Sequence, residues 1–261
     1  MDFDISKIKY SSSDVKKGII LPKKFNEDLA EEIGILIGDG HLTTKKEDYG
    51  ITISGHFIDD QLYHKNIIIP LFQKLYNAKF TSKKRNRDTN ELTTSTWSKA
   101  IFSFHNKILN LPRGNKVNKI QIPEEVILNK KLLCAFLRGI IDTDGSLVFQ
   151  KKYKKVYYYP RITIGLCDKH LMLSIKDSLL NLGFTLSYYS RKSESKKIKN
   201  KILRGYNLDI YGEDNLKKWC NLIGFNNPKH TSKYQIWKKF GHCPPKLNTF
   251  ERLEILKQES L

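Results

Sequence analysis

Two aspartates, Asp39 and Asp144, occupy equivalent places in two related stretches of the chain. The first stretch, Leu29–Leu42, reads LAEEIGILIGDGHL; the second, Leu133–Leu147, reads LCAFLRGIIDTDGSL. Each is an apolar run of helical length that closes in Asp-Gly. Each also carries small residues four apart: Ala30, Gly34 and Gly38 in one, Ala135, Gly139 and Thr143 in the other. Residues at that spacing stack into a ridge on one helix face, and a ridge of small residues lets a second helix backbone approach closely. If the two ridges face each other, Asp39 and Asp144 come side by side. Two adjacent carboxylates resist joint ionisation unless a cation lies between them, and hard oxygen donors suit a divalent ion. Asp-Gly is also a common turn dipeptide, so either aspartate alone reads equally as a helix terminus. The matched pair carries the metal reading.

The 261-residue chain can bury a sizeable core, as one large or two modest domains. Lys and Arg number 46 against 27 acids, a formal charge of +19. Self-repulsion of that size suits a polyanionic partner. No basic amphipathic helix and no apolar run near membrane-spanning length stands out, so no membrane partner is expected. Cys134, Cys167, Cys220 and Cys243 are scattered, without zinc or disulfide spacing. With a polar N-terminus unlike a signal peptide, they predict an intracellular protein.

The elements around the two aspartates recur. Residues 1–26 are polar and read as an N-terminal extension that drapes on the body or contacts the partner. A first unit spans 27–115: the motif helix capped at Asn26, a strand at Ile51–Ser54 and a helix from Asp59 to Tyr76, with Pro70 as the place for a kink. Strands near Ala78–Lys83 and Leu92–Trp97 and a short helix at Ile101–Asn110 complete it. A linker, 116–130, leads to a second unit, 131–240, in the same order, and a tail covers 241–261. Strands there are expected around Leu147–Tyr153, Tyr157–Gly165 and Gly205–Tyr211, with helices at Asp168–Leu182 and Glu213–Ile223. The fold class is therefore α+β: two pseudo-symmetric αββαββα units, motif helices central, their antiparallel sheets forming a positive saddle about as wide as a duplex. A two-stranded ribbon fits the major groove. Candidate readers are Thr52, Ser54, Arg161 and Thr163, with Arg85, Arg87, Lys151, Lys154, Arg191 and Lys192 on hairpin tips or phosphates. Each taken singly reads equally well as solvated surface. Trp97, Trp219, Trp237 and Tyr157–Tyr159 read as packing residues.

The windows Glu32–Gly40 (EIGILIGDG) and Leu137–Gly145 (LRGIIDTDG) resemble the signature of the LAGLIDADG homing endonucleases. The resemblance covers roughly residues 27–240. It implies a single-chain, monomeric, two-motif enzyme that cuts long asymmetric double-stranded DNA targets. It implies Asp39 and Asp144 as ligands of Mg²⁺ (or Mn²⁺), and the backbone carbonyls of Gly38 and Thr143 could complete the shell. Asp142 has Ile37 as its counterpart and is not a symmetric ligand. Basic residues beside the metal are also implied: Lys119, with Lys116 as alternate, and Lys233 or Lys229 at the second exit. Where some members carry Gln-Lys, this chain has Gly55-His56; His56 reads as a substitute or, more simply, as a packed histidine. No splicing blocks are seen, so a free-standing enzyme is favoured over an intein. The competing reading on the same saddle is a non-cleaving binder, either a maturase for intron RNA or a DNA-binding regulator.

Overall fold

The computed structural model describes all residues except 1, 44, 46, 87, 88, 195–201 and 259–261. After α1 (Ser12–Lys16), the first motif forms α2 (Glu27–Gly38), whose N-cap Asn26 accepts the Leu29 N–H at 2.8 Å. Every residue from Leu29 to Ile37 is buried, Glu31 and Glu32 included, so this helix is enclosed on all sides and must lie in the middle of the molecule. The strands β1 (Gly40–Leu42), β2 (Gly50–His56), β3 (Thr81–Lys84) and β4 (Glu91–Trp97) form one antiparallel sheet, in the order β1-β2-β4-β3.

Between β2 and β3 the chain is helical over 61–76: α3 (Gln61–Tyr63), a π turn at His64–Ile68, and α4 (Ile69–Tyr76). Pro70 lacks the N–H that would bond back to residue 66. The wider turn just before it absorbs that defect without breaking the helix. A second π turn, Phe104–Ile108, extends α5 (Lys99–Ser103) and closes the unit.

The expected linker contains a short helix, α6 (Glu124–Leu128), pinned by buried Ile120, Ile122 and Val126. The second motif then forms α7 (Lys130–Asp144). There follow β5 (Gly145–Gln150), β6 (Tyr159–Leu166), α8 (Lys169–Asn181), β7 (Ser187–Glu194), β8 (Ile202–Tyr211) and α9 (Glu213–Leu222). This sheet runs β5-β6-β8-β7, the same topology as the first.

Two further helices, α10 (Pro228–Phe240) and α11 (Thr249–Gln258), were not separately expected. The C-terminal segment is held by Arg252, only 3% exposed, which donates to Ser232 Oγ and to the Leu247 carbonyl. Thr249 N–H donates to Asp59 Oδ1 at 2.9 Å, tying this segment to the first unit. The N-terminal extension is also built in: Ile8, Ile19 and Leu21 are buried, and Asp14 accepts the Ala100 N–H at 3.1 Å.

Strand alternation divides each sheet. Ile51, Ile53, Ile162 and Ile164 point inward and are at most 1% exposed, whereas Thr52, Ser54, Arg161 and Thr163 are half-exposed on the other face.

Candidate active site

The motif helices α2 and α7 cross at their glycines. A methyl group placed on Gly34 would lie 2.3 Å from the Phe136 carbonyl oxygen; one on Gly139 would lie 2.2 Å from that of Glu31 and 3.0 Å from the Gly34 Cα. Backbone therefore meets backbone, as the small-residue ridges require. The contact continues to the end of the ridges, where a Cβ on Gly38 would reach Thr143 Oγ1 at 2.0 Å and Asp144 Oδ2 at 3.5 Å. Asp39 is half-buried and Asp144 more open.

Burial first, and then the charges of Asp144 and Asp60, push the Asp39 carboxyl up to about 7, against the pull of Lys229 and Lys116. Asp144 is also pushed up by its low-dielectric surroundings, with Lys116 and Lys229 opposing. The pair thus holds its negative charge at a cost that a cation would relieve. Among the described residues no group of three or more His, Cys, Asp or Glu could hold a metal ion. The donor set is two carboxylates with carbonyl oxygens nearby, which suits a magnesium-like ion that keeps waters and takes the rest of its shell from substrate phosphate. A structural zinc site needs a fuller set of protein ligands.

The nearby basic residues are Lys116 and Lys229. Lys116 Nζ lies within hydrogen-bonding distance of four carbonyls at and just past the end of α2, Leu36, Ile37, Gly38 and Gly40, at 2.6–3.0 Å, and its three N–H donors are shared among them. It thereby satisfies orphan helix carbonyls with a charge suited to that end of the dipole. The Gly38 carbonyl, a candidate metal ligand, already accepts this bond. Lys119 is exposed, three residues along the same turn. Lys229 Nζ pairs with Asp60 Oδ1 at 3.0 Å, and Asn227 Nδ2 donates to the same oxygen at 2.9 Å. Lys233 points elsewhere, donating to the Leu147 carbonyl at 3.0 Å. It helps line a cavity of about 390 Å³ with Cys243 and Arg252, and burial and Arg252 pull its ammonium down to about 8.

Asp142 is a buried brace. Its Oδ2 accepts the N–H groups of Asn226 and Asn227, at 2.7 and 3.1 Å, fixing the loop that presents Lys229. His56 is exposed, 3.3 Å from Asp59 and outside the carboxylate pair's polar contacts. Thr143 Oγ1 donates to the Gly139 carbonyl at 2.8 Å. Asp60 went unnoticed in the sequence, where it reads as a helix cap; its side chain makes no cap bond to α3 and is spent on Lys229, Asn227 and the His56 N–H.

The outward sheet faces hold most of the other candidates. Thr52 stands opposite Ser95 and Ser54 opposite Thr93; Thr163 stands opposite Asp209 and Arg161 opposite Tyr211. Lys151 and Lys154 are exposed on the β5–β6 hairpin, their ammonium groups each 4.9 Å from the ring centres of Tyr157 and Tyr158. Arg191 and Lys192 are exposed on β7, and Arg85 pairs with Glu91 at 2.6 Å. Arg87 lies outside the described residues. Trp219 and Trp237 pack as expected, but Trp97 is 55% exposed at the end of β4, on the same face as Thr52, because Gly50 opposite it leaves its ring no side chain to pack against.

The model of the LAGLIDADG-like domain matches residues 131–224. Residues 131–224 therefore form a LAGLIDADG-like domain. The two motif copies share one chain, and the first, outside the matched span, folds like the second. I-DmoI solved in complex with DNA and Mn superimposes with a TM-score of 0.51 at 20% identity, covering 76% of this chain and 96% of that one, a likeness of fold. The replication factor C small subunit of Methanocaldococcus jannaschii is 30% identical over 80% of this chain but only 10% of its own length. An uncharacterized protein of the same organism is 28% identical over 67% of this chain and 63% of its own length. The chain thus spans less than two thirds of either relative.

Proposed function

We propose that this LAGLIDADG chain is a site-specific double-strand DNA endonuclease that works as a monomer and needs Mg²⁺ or Mn²⁺. The observation that carries the reading is the meeting of Asp39 and Asp144 beneath a glycine-on-glycine helix crossing, between two sheets whose outward faces are polar. The net charge of +19 supports a polyanionic substrate, and the fold shared with I-DmoI, solved with DNA and Mn, supports duplex DNA. No described helix is long and apolar enough to cross a membrane.

In this reading Asp39 and Asp144 hold the metal jointly. A bound divalent ion there supplies charge stabilisation for an in-line displacement at phosphorus and a more acidic water. Lys116 fixes the end of α2 and so the place of Asp39. Lys229, held in position by Asp60, faces the developing negative charge on phosphate. The sheet faces hold the duplex in register, with hairpin-tip cations on phosphates and strand side chains on base edges.

The test is cleavage of a randomised duplex library with Mg²⁺, beside the Asp39→Asn/Asp144→Asn double variant. Cut ends that share one long sequence and vanish with the variant are the expected result. Retention of one duplex without cutting by the wild type would replace the nuclease with a binder.

A further inference from the structure

An acid occupies the middle of the outward face of the second sheet. Asp209, on β8, is 1% exposed. Its Oδ2 accepts the hydroxyls of Tyr211 at 2.9 Å and Tyr189 at 3.1 Å, and lies 3.5 Å from Arg161 Nη1. Tyr189 in turn accepts a bond from Arg191 Nη2 at 2.8 Å. One carboxylate thus gathers side chains from β6, β7 and β8.

On a face that meets phosphates, a carboxylate repels the ligand and carries a desolvation penalty, so its presence calls for a compensating role. The cation beside it is Arg161, whose side chain is 24% exposed and stands within β6, away from the hairpin tips. The ion pair is loose: Arg161 Nε and Asp209 Oδ1 are both buried without a partner. The pair still ties the guanidinium to the sheet while part of the side chain stays open to a ligand. An arginine restrained in this way loses less freedom on binding than a free one.

The first sheet lacks the device at every matching position. Gly50 stands where Arg161 does, Ser95 where Asp209 does, Trp97 where Tyr211 does and Lys83 where Tyr189 does.

Resting on the DNA reading above, we propose that Arg161 reads one guanine in the major groove and that Asp209, with Tyr189 and Tyr211, is the positioning residue that aims it. The guanidinium fork matches the O6 and N7 acceptors of guanine, a pairing that neither adenine nor a pyrimidine offers. A phosphate would be met by any flexible lysine and would not need a buried acid behind the cation. The half-site under the second unit therefore carries one obligatory guanine that the first unit's half-site lacks.

The experiment selects bound duplexes from a randomised double-stranded DNA library, with Ca²⁺ present, for the wild type and for Arg161→Ala, Asp209→Asn and Tyr211→Phe. Circular dichroism confirms that each variant is folded, and Tyr211→Phe stands in if Asp209→Asn is not. The wild type should favour guanine about ten- to a hundredfold at one position of one half-site. Arg161→Ala should erase that preference, and Asp209→Asn or Tyr211→Phe should reduce it severalfold, with preferences elsewhere unchanged. Selection of a common sequence whose guanine preference none of the variants alters would overturn the inference and leave DNA recognition standing. Selection of no duplex by the wild type would overturn both.

Discussion

The two sheets can be compared position by position, because their registers coincide: Gly40 faces Ile53 as Gly145 faces Ile164, and Ile51 faces Thr96 as Ile162 faces Ile210. Inward, the centres of β2 and β6 match, isoleucine for isoleucine. Outward they diverge. The first sheet presents Thr52, Ser54, Thr93 and Ser95, small hydroxyls with little reach. The second presents the cluster of Arg161, Asp209, Tyr189 and Tyr211. The inner face meets a helix layer common to both halves, so its chemistry is fixed by packing. The outer face meets solvent or a ligand, and there the halves are free to differ. One scaffold can thereby present an asymmetric surface.

What the halves share is most sharply broken at the helix crossing. Gly139→Ala drives a methyl against the Glu31 carbonyl and the Gly34 backbone; a loss of about 3 kcal/mol or more in urea unfolding is expected. Gly165→Ala, in the second sheet with its nearest contact the Asn207 side chain at 3.3 Å, should cost far less.

The layer beneath the sheets carries one asymmetry of its own. Under the first sheet, His64 Nδ1 lies 2.7 Å from Thr94 Oγ1; Leu208 takes the place of Thr94 in the second. Burial, and then Lys229, lower the His64 imidazole from 6.5 to about 4, against the pull of Asp60. Its folded value is depressed, so the unfolded chain binds the extra proton. The stability is intact above about pH 6.5 and is lost as pH falls towards 4, by about 3 kcal/mol. Asp39, with its raised carboxyl, works in the opposite sense over this window in both proteins, so the measure is the difference: from pH 7 to pH 4.5 the urea-unfolding stability of His64→Met/Thr94→Leu should change more favourably than that of the wild type.

The two lysines near the carboxylate pair differ in the same spirit. Lys116→Met leaves four carbonyls at the end of α2 without their donor and should cost about 1–3 kcal/mol. Lys229→Met should cost less in thermal unfolding, because Asn227 still serves Asp60. The smallest effect belongs to the hairpin tips. Arg85→Ala should lower the slope of log affinity against log salt by about 0.9, and an unchanged slope would remove Arg85 from the interface.

Much of this architecture was legible in the sequence because spacing encodes it. Small residues four apart specified the helix crossing, and Ile-Thr-Ile-Ser and Arg-Ile-Thr-Ile specified which strand residues face inward. Other features depend on geometry that no period reports. Lys116, rather than Lys119, turns back to α2 because Gly114 and Asn118, both at positive φ, set the path of that loop. α6 is too short to show a helical period, and α11 is secured by the buried polar anchor Arg252 more than by an apolar stripe. Asp209 reads as ordinary surface until three strands bring its partners together.

The central claim is that Asp39 and Asp144 form one metal-dependent cutting site serving both halves. Its most direct test uses the duplex recovered from the library, cut at increasing Mg²⁺ by the wild type, Asp39→Asn and Asp144→Asn, with both strands followed. Saturable cutting of both strands by the wild type, and cutting at background by each single variant that still retains the duplex, is the predicted result. A single variant that cuts both strands at the wild-type rate and with the same metal dependence would contradict the account.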